Sequence, residues 1–222
     1  RLSGIYTGLG YPETVGWNIH YRYCAQPLSA DIEEIQRLIA TLKVDLVIVD
    51  SLGLACGGEP EAGDAILGYF LALRALRTTS LTIHHQNKKG KLYGNVYIFN
   101  MTRNLWEIKS SATNAGLNVG LFNRKTNNGP LHAPLGLSIK FDADSTVITP
   151  QRVVDVPDLA GELPIYRQVV EILKGGTLPT SDIADALEKP EGTIRGILNR
   201  YKKVFVRTEN NKWGLLSSYD TA

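Results

Sequence analysis

One carboxylate and two imidazoles stand at the ends of apolar segments, where they could bind a charged ligand. Asp50 ends the run VDLVIVD, and His84 and His85 follow the run SLTI. An uninterrupted apolar run such as the first is typical of a strand in a parallel sheet that is covered on both faces. Because ligands bind beyond the carboxyl ends of such strands, we expect the three side chains to lie near one site.

These residue types suit the handling of a nucleotide. An aspartate at a strand tip can hold Mg²⁺ through its water shell, and a histidine on the next strand can sense a phosphate by hydrogen bonding. Side chains alternate along a strand, so one of His84 and His85 must face into the layer and the other outwards. A structural alternative stays open for each: Asp50 as a solvated or capping acid, and either histidine as a buried core residue.

The elements that would position these groups alternate between strands and helices. NIHYRYCA, residues 18–25, has the alternation of a strand, and residues 29–43 have apolar side chains at helical spacing. A glycine-rich loop leads to a second predicted helix over 65–79 and a strand over 80–86. Strands and helices in this order, with short connections, predict a right-handed α/β layer.

Beyond this layer the pattern changes twice. NVYIFNMTR predicts a short helix, and four later segments, LWEIKSS, NVGLFNRKTNN, LGLSIKFD and STVITPQRV, predict strands that extend the sheet in antiparallel fashion. We therefore expect one domain over residues 1–153 and a linker over 154–161. Residues 162–222 predict three helices and a hairpin turning at Asn210 and Asn211, the elements of a winged helix-turn-helix.

Composition limits the class of protein. The chain has 222 residues, of which 43% are hydrophobic and 21% charged, as in ordinary globular proteins. No apolar run approaches the ~18 residues of a membrane span, so we expect a cytoplasmic protein without membrane contact. Two cysteines without metal-ligand spacing argue against a metal site built on cysteine.

Charge is unevenly distributed along the chain. Residues 1–64 hold four Lys and Arg against nine Asp and Glu, whereas residues 81–145 hold eight against three. This segregation suits an anionic partner on one side of the molecule, although a solvated basic face would give the same count.

Several segments together resemble the RecA-like ATPases of phages and plasmids, which are related to hexameric replicative helicases. The resemblance rests on DLVIVDSLGLACGGEPE, LRALRTTSLTIHHQNK, YGNVYIFNMTRNLWEI, RKTNNGP and PLGLSIKFD, which recur in this order over roughly residues 1–150. It implies an α/β, P-loop NTPase fold: a partial RecA-like parallel sheet with an antiparallel extension, followed here by the small winged helix-turn-helix domain. It also implies ATP and Mg²⁺ as cofactors, DNA as partner and a homo-oligomeric ring.

The resemblance assigns roles to individual residues. Asp50 matches the acid that supports Mg²⁺, Ser51 lies beside the nucleotide, and His85 matches the sensor of the γ-phosphate. KGKLYGN resembles the mobile loop that faces the DNA channel of such rings. The basic residues of this region are therefore candidate DNA contacts or supports of the loop: Lys88, Lys89, Lys91 and Arg103.

RKTNNGP resembles the segment that reaches the nucleotide of a neighbouring subunit with a lysine and an arginine two residues apart. Lys125 fits the lysine position. Asn127 stands where the arginine is expected, and Arg124 is adjacent. All three are candidate nucleotide contacts, and a polar hairpin turn is the alternative.

The phosphate-binding motif G-x-x-x-x-G-K-[ST] does not occur in the sequence. In the family, that loop and the glutamate that activates water lie upstream of the position that matches Arg1. We therefore expect the chain to be the carboxyl-terminal part of an ATPase. Without the amides and lysine of that loop, these residues alone should bind ATP weakly or not at all and be inactive.

In a winged helix-turn-helix the third helix enters the major groove of DNA. Its exposed polar residues are the candidate contacts to bases and phosphates: Thr193, Arg195, Asn199, Arg200 and Lys203. Residues 162–222 hold nine Lys and Arg against eight Asp and Glu, a small excess for a nucleic-acid binder. Because such modules also dock proteins, that alternative stays open.

Two hypotheses of different class follow. The first is part of an ATP-dependent, DNA-acting RecA-like ATPase of helicase or recombinase type, used in replication of a mobile element. The second is a non-enzymatic DNA-binding regulator or adaptor that contains a degenerate half of an ATPase.

Overall fold

A computed structural model describes residues 2–11, 18–208 and 210–216 of the chain. The helices are α1 (Leu2–Gly8), α2 (Ile32–Leu42), α3 (Leu52–Ala55), α4 (Gly63–Ala75), α5 (Val96–Met101), α6 (Pro157–Ala160), α7 (Ile165–Leu173), α8 (Thr180–Ala186) and α9 (Glu191–Arg200). The strands are β1 (Leu46–Asp50), β2 (Thr79–Ile83), β3 (Asn104–Thr113), β4 (Gly116–Thr126), β5 (Leu135–Phe141), β6 (Thr146–Gln151), β7 (Phe205–Arg207) and β8 (Trp213–Leu215).

The chain forms two compact units. Of the described residues, the parallel-sheet unit comprises 18–105 and 125–130, and the antiparallel-sheet unit comprises 2–11, 106–124, 131–208 and 210–216. This division differs from the domain boundaries expected from the sequence, because β3 and β4 carry the chain out of the first unit and back.

In the parallel-sheet unit, β1 and β2 pair in parallel, from Leu46 opposite Thr79 to Asp50 opposite Ile83. Helices α2 and α4 pack on this pair, and their core includes the almost fully buried Ile66 of α4. The two strands and two helices confirm the α/β pattern predicted for this part of the chain.

Only one face of the β1–β2 sheet is covered within the described residues. Val47 and Val49 pack against the core of α2 and α4. The apolar residues of the opposite face are 42–58% exposed, namely Leu46, Ile48, Leu81 and Ile83. The expected cover on both faces is therefore wrong for this structure, because α2 and α4 both pack on the Val47 and Val49 side.

Residues 18–25 form no strand, contrary to expectation. Tyr21 and Tyr23 are 88% and 79% exposed. Arg22 between them forms ion pairs with Asp31, at 3.3 Å, and with Glu34 of α2, at 2.6 Å. Alternation predicts a strand only where another strand supplies backbone partners, and here the segment is fastened to α2 through a side chain instead.

In the antiparallel-sheet unit, β3, β4, β5 and β6 pair in sequence order. The four predicted strands are confirmed, but they form a sheet of their own rather than an extension of β1–β2. The stretch 154–161 is also not a free linker. It contains α6 and contributes Val156 and Leu159 to a core around Phe122, because its apolar residues recur at helical spacing.

Helices α7, α8 and α9 and the β7–β8 hairpin surround a core of their own, and we call these elements the helical module. Ile183, Ile194 and Leu198 are fully buried in it. Asn211 adopts a left-handed conformation, with φ of 59°, near the turn of the hairpin. Among the described residues there is no helix with the length and hydrophobicity that a membrane crossing requires.

Candidate functional site

Asp50 and His85 are both exposed at the carboxyl edge of the β1–β2 sheet. Asp50 is exposed and is paired in register with Ile83, the last residue of β2. Thr82 and Val49 face the covered side, and the alternation of burial continues to His85, which is exposed. His85 follows Ile83 by two residues, beyond the end of β2. The residues that the resemblance assigned to Mg²⁺ and to the γ-phosphate are thus both exposed at the carboxyl ends of neighbouring parallel strands.

His84 turns inward and has a structural role. Its Nε2 lies 2.6 Å from the carbonyl oxygen of Tyr93, and its ring stacks on the ring of Tyr93 with centroids 6.4 Å apart. Because a carbonyl oxygen can only accept, Nε2 carries the proton. Nδ1 is buried and has no hydrogen-bond partner among the described residues.

Tyr93 also fastens the loop that follows α3. Its hydroxyl donates to the carboxylate of Glu61, and this bond raises the pKa of Tyr93 above its ordinary value. The backbone N–H of Asn95 donates to Pro60 O at 2.8 Å, and Asn95 Nδ2 donates to Glu61 O at 3.0 Å. Gly94 has φ of 103°, and a Cβ there would lie 2.7 Å from Pro60 O, so the close approach requires glycine.

The sequence pattern did not predict these contacts between Tyr93, Asn95 and the loop after α3. The one signal for them is Asn95 itself, which accepts from the N–H of Tyr97 as the N-cap of α5.

The segment 86–92, which we call the lysine turn, is an ordered turn that presents its cations outward. Gln86 and Leu92 form an antiparallel bridge, and the side chain of Asn87 accepts from the backbone N–H groups of Lys89 and Lys91. Lys88, Lys89 and Lys91 are all exposed. Arg103, the fourth cation predicted to contact DNA, is exposed after α5.

Lys125 caps the carboxyl end of α5. Its Nζ donates to Phe99 O at 2.6 Å and to Asn100 O at 3.1 Å, and it lies over the Phe99 ring. A cation at this end of a helix satisfies terminal carbonyls and interacts favourably with the helix dipole. Asn127 is fixed as well, since its backbone N–H donates to Arg103 O.

Arg124 belongs to an ion-pair network in the antiparallel-sheet unit. Its guanidinium lies 2.6 Å from Glu107 and 3.4 Å from Glu162, and Lys109 pairs with the same two carboxylates at 3.4 Å each. The Arg124 guanidinium also lies 5.0 Å from the centre of the Phe122 ring. Both Arg124 and Lys125, which were predicted to contact nucleotide, thus hold structural contacts within the chain.

The residues present fit a hydrated Mg²⁺ only in part. Asp50 offers one exposed carboxylate, and Mg²⁺ commonly binds through one or two carboxylates, several waters and phosphate oxygens. Ser51 is buried directly after it, and the Asp50–Ser51 peptide is cis. Within the described ranges no three His, Cys, Asp or Glu side chains gather as a metal site. Any Mg²⁺ here would therefore have to take most of its other ligands from water and from phosphate oxygens.

The predicted DNA contacts lie on α9 and, for Lys203, in the turn that follows this helix, since α9 ends at Arg200 and not at Lys203 as expected. Ile194 and Leu198 are buried, whereas the predicted residues are exposed, namely Thr193, Arg195, Asn199, Arg200 and Lys203. Arg195 forms an ion pair with Glu191 at 2.6 Å, and Asn199 donates to Arg195 O. Arg200 and Lys203 are exposed, so a large partner could reach them.

No protein-family model and no curated protein matches the sequence. One solved structure that is similar is that of a KaiC-like protein from the hyperthermophilic archaeon Pyrococcus horikoshii, with a TM-score of 0.42 and 15% identity. The match covers 55% of this chain and 54% of that one, so this chain spans about half the length of that protein. At this level the similarity assigns neither family nor activity; the described residues form an α/β structure with one parallel and two antiparallel sheets.

Proposed function

We propose that this chain forms part of an ATP-dependent RecA-like ATPase that acts on DNA, with the nucleotide at the edge that carries Asp50 and His85. The observation that supports this best is that both are exposed at the carboxyl ends of two neighbouring parallel strands. Open α/β sheets bind ligands at this end. The sequence motifs occur in an order that resembles that of RecA-like ATPases, and this resemblance adds independent support.

Each residue has a defined task in this proposal. Bound Mg²⁺ would supply neutralisation of the charge on the phosphates. Asp50 would accept hydrogen bonds from the waters of the ion and so orient them. His85, which is exposed, would donate a ring N–H to an oxygen of the terminal phosphate. Other parts of the complete site would have to cradle the phosphates, because no residues of this sequence match the loop that does so.

Nucleic acid would contact two basic surfaces. The lysine turn begins directly after His85. Contact of DNA with Lys88, Lys89 or Lys91 would therefore shift the position of His85 through a short stretch of backbone. The outer face of α9, in what we propose is a winged helix-turn-helix, would supply the second surface. A ring of identical subunits is part of the same proposal.

The decisive measurement is DNA-stimulated ATP hydrolysis by the complete gene product. Asp50→Ala should lower turnover by 10²-fold or more, on the order expected when charge stabilisation in the transition state is lost. Asp45→Asn is the matched control, because Asp45 is an exposed acid just before β1, at the opposite end of the strand. His85→Asn should also lower turnover, with His20→Asn, at another exposed histidine, as its control.

Turnover retained in Asp50→Ala, or lost equally in Asp45→Asn, would contradict the proposal.

A non-enzymatic DNA-binding regulator is the second candidate. The contacts of Arg124 and Lys125 favour it, since both cations are held by groups within the chain. Under this alternative the complete gene product binds DNA, with no measurable affinity for ATP in the presence of Mg²⁺.

A further inference from the structure

A polar pocket of about 410 Å³ opens in the helical module. Three parts of the module line it: Thr180 and Ser181 at the start of α8, Glu191 and Arg195 of α9, and Arg207 and Asn211 of the hairpin. These side chains are distant in sequence, and only the packing of α8, α9 and the hairpin brings them together. Thr180 and Ser181 were not among the binding residues identified from the sequence.

The charged groups of the pocket leave it with an excess of one positive charge. The guanidinium of Arg195 pairs with Glu191 at 2.6 Å, and that of Arg207 donates to the side-chain oxygen of Asn211. A guanidinium has several N–H donors in a planar fork, so one such bond leaves others for a ligand. The hydroxyl of Thr180 adds a donor to the lining, whereas the hydroxyl of Ser181 donates to Asp182 Oδ1 at 3.0 Å.

We propose that this pocket seats one phosphate group of a DNA backbone. A backbone phosphate carries a single negative charge, which matches the excess charge of the pocket. Its oxygens suit the forked donors of arginine and the hydroxyl donor of Thr180. The polar lining offers little to an apolar side chain. This inference rests on the proposed contact between α9 and DNA and adds the site that would fix the register of the helical module on the duplex.

The test is the affinity of the 222-residue chain for a short fluorescent duplex, measured by anisotropy over a range of salt concentrations. Arg207→Gln should weaken binding about tenfold at low salt and reduce the slope of log K against log salt by about one phosphate. Ser181→Asp, which places a carboxylate in the pocket, should weaken binding at least as much. Lys174→Gln removes one positive charge from the module outside the pocket and is the matched control, with little change expected.

The outcomes separate this inference from the function on which it rests. If the chain binds duplex DNA and both pocket variants bind as tightly as the wild type, the phosphate seat is overturned and the DNA contact stands. Equal weakening by Lys174→Gln also overturns it, because the effect would then be one of net charge. If the wild type does not bind duplex DNA at low salt, both fail. Binding of a phosphopeptide that depends on Arg207, without binding of DNA, overturns the inference in favour of protein docking.

Discussion

At the scale of single residues, polar side chains in this protein link elements that are far apart in the sequence. Tyr69 of α4 shares a hydrogen bond of 2.7 Å with Thr82 of β2 and is almost fully buried. Burial raises the pKa of Tyr69 to about 12, because the phenolate would lose its hydration. The hydroxyl therefore acts as a neutral group that ties α4 to the strand before the two histidines.

Tyr69→Phe should lower the free energy of unfolding by about 1 kcal/mol near neutral pH, the usual net value of one hydrogen bond. The pKa of a free tyrosine is about 10. Since the pKa is raised in the folded state, this stabilisation is complete below about pH 10 and is lost as pH rises through about 12. Urea unfolding across this pH range measures the difference between the two proteins. Tyr21→Phe, at an exposed tyrosine, is the control, and an equal effect there would contradict the assignment.

The cations of RKTNNGP show how a residue type can mislead. Arg124 and Lys125 have the charge that a nucleotide contact requires, yet one binds Glu107 and Glu162 and the other caps α5. Since neither carboxylate lies close to Arg124 in sequence, no local pattern could identify the partners. Any nucleotide contact by these residues would have to compete with the contacts that they hold in this structure.

At the scale of elements, the two faces of β1 contribute differently to the stability of the fold. Val49 packs on the core of α2 and α4, whereas Ile48 is 58% exposed on the open face. The free energy gained from burial follows the apolar area that is removed from water. An equal truncation on the two faces should therefore have unequal effects.

Val49→Ala should reduce the free energy of unfolding by about 1–2 kcal/mol, and Ile48→Ala by less than about 0.5 kcal/mol, although it removes more atoms. Chemical denaturation of the two variants measures both values. A larger loss from Ile48→Ala would show that the open face is covered in solution by a partner or by a second copy of the chain.

At the scale of the whole molecule, the buried residues fall into separate cores. Ile66 lies in the core of the parallel-sheet unit, and Leu198 lies in the core of the helical module. Because these cores are separate, local stability can differ between them.

Leu198→Ala and Ile66→Ala should each cost about 2–5 kcal/mol in their own core, because both side chains are fully buried. Hydrogen exchange followed by mass spectrometry should then show faster exchange in α7 and α9 for the first variant and in α4 for the second. Faster exchange throughout the described residues in both variants would mean that the chain unfolds as one cooperative unit.

The amino-acid sequence by itself determined the local elements. Strand β1 is predicted by the apolar run before Asp50, and α2 by the spacing of Ile32, Ile35 and Ile39. The hairpin is predicted by the turn residues around Asn211. These predictions succeed because periodicity and turn chemistry depend on near neighbours. The sequence also identified Asp50 and His85 as candidates, since each stands at the end of a predicted strand.

The tertiary structure alone decided how these elements are used. Four features depend on which distant segment supplies a partner. They are the open face of β1–β2, the separate sheet of β3–β6, the lack of a strand over residues 18–25 and the packing of 154–161. The same holds for the ion pairs of Arg124 and the pocket that joins Ser181 to Arg207. Hydrogen bonds, ion pairs and burial act through space, so they depend on residues that are far apart in the chain. A local sequence pattern does not show which distant residues will meet.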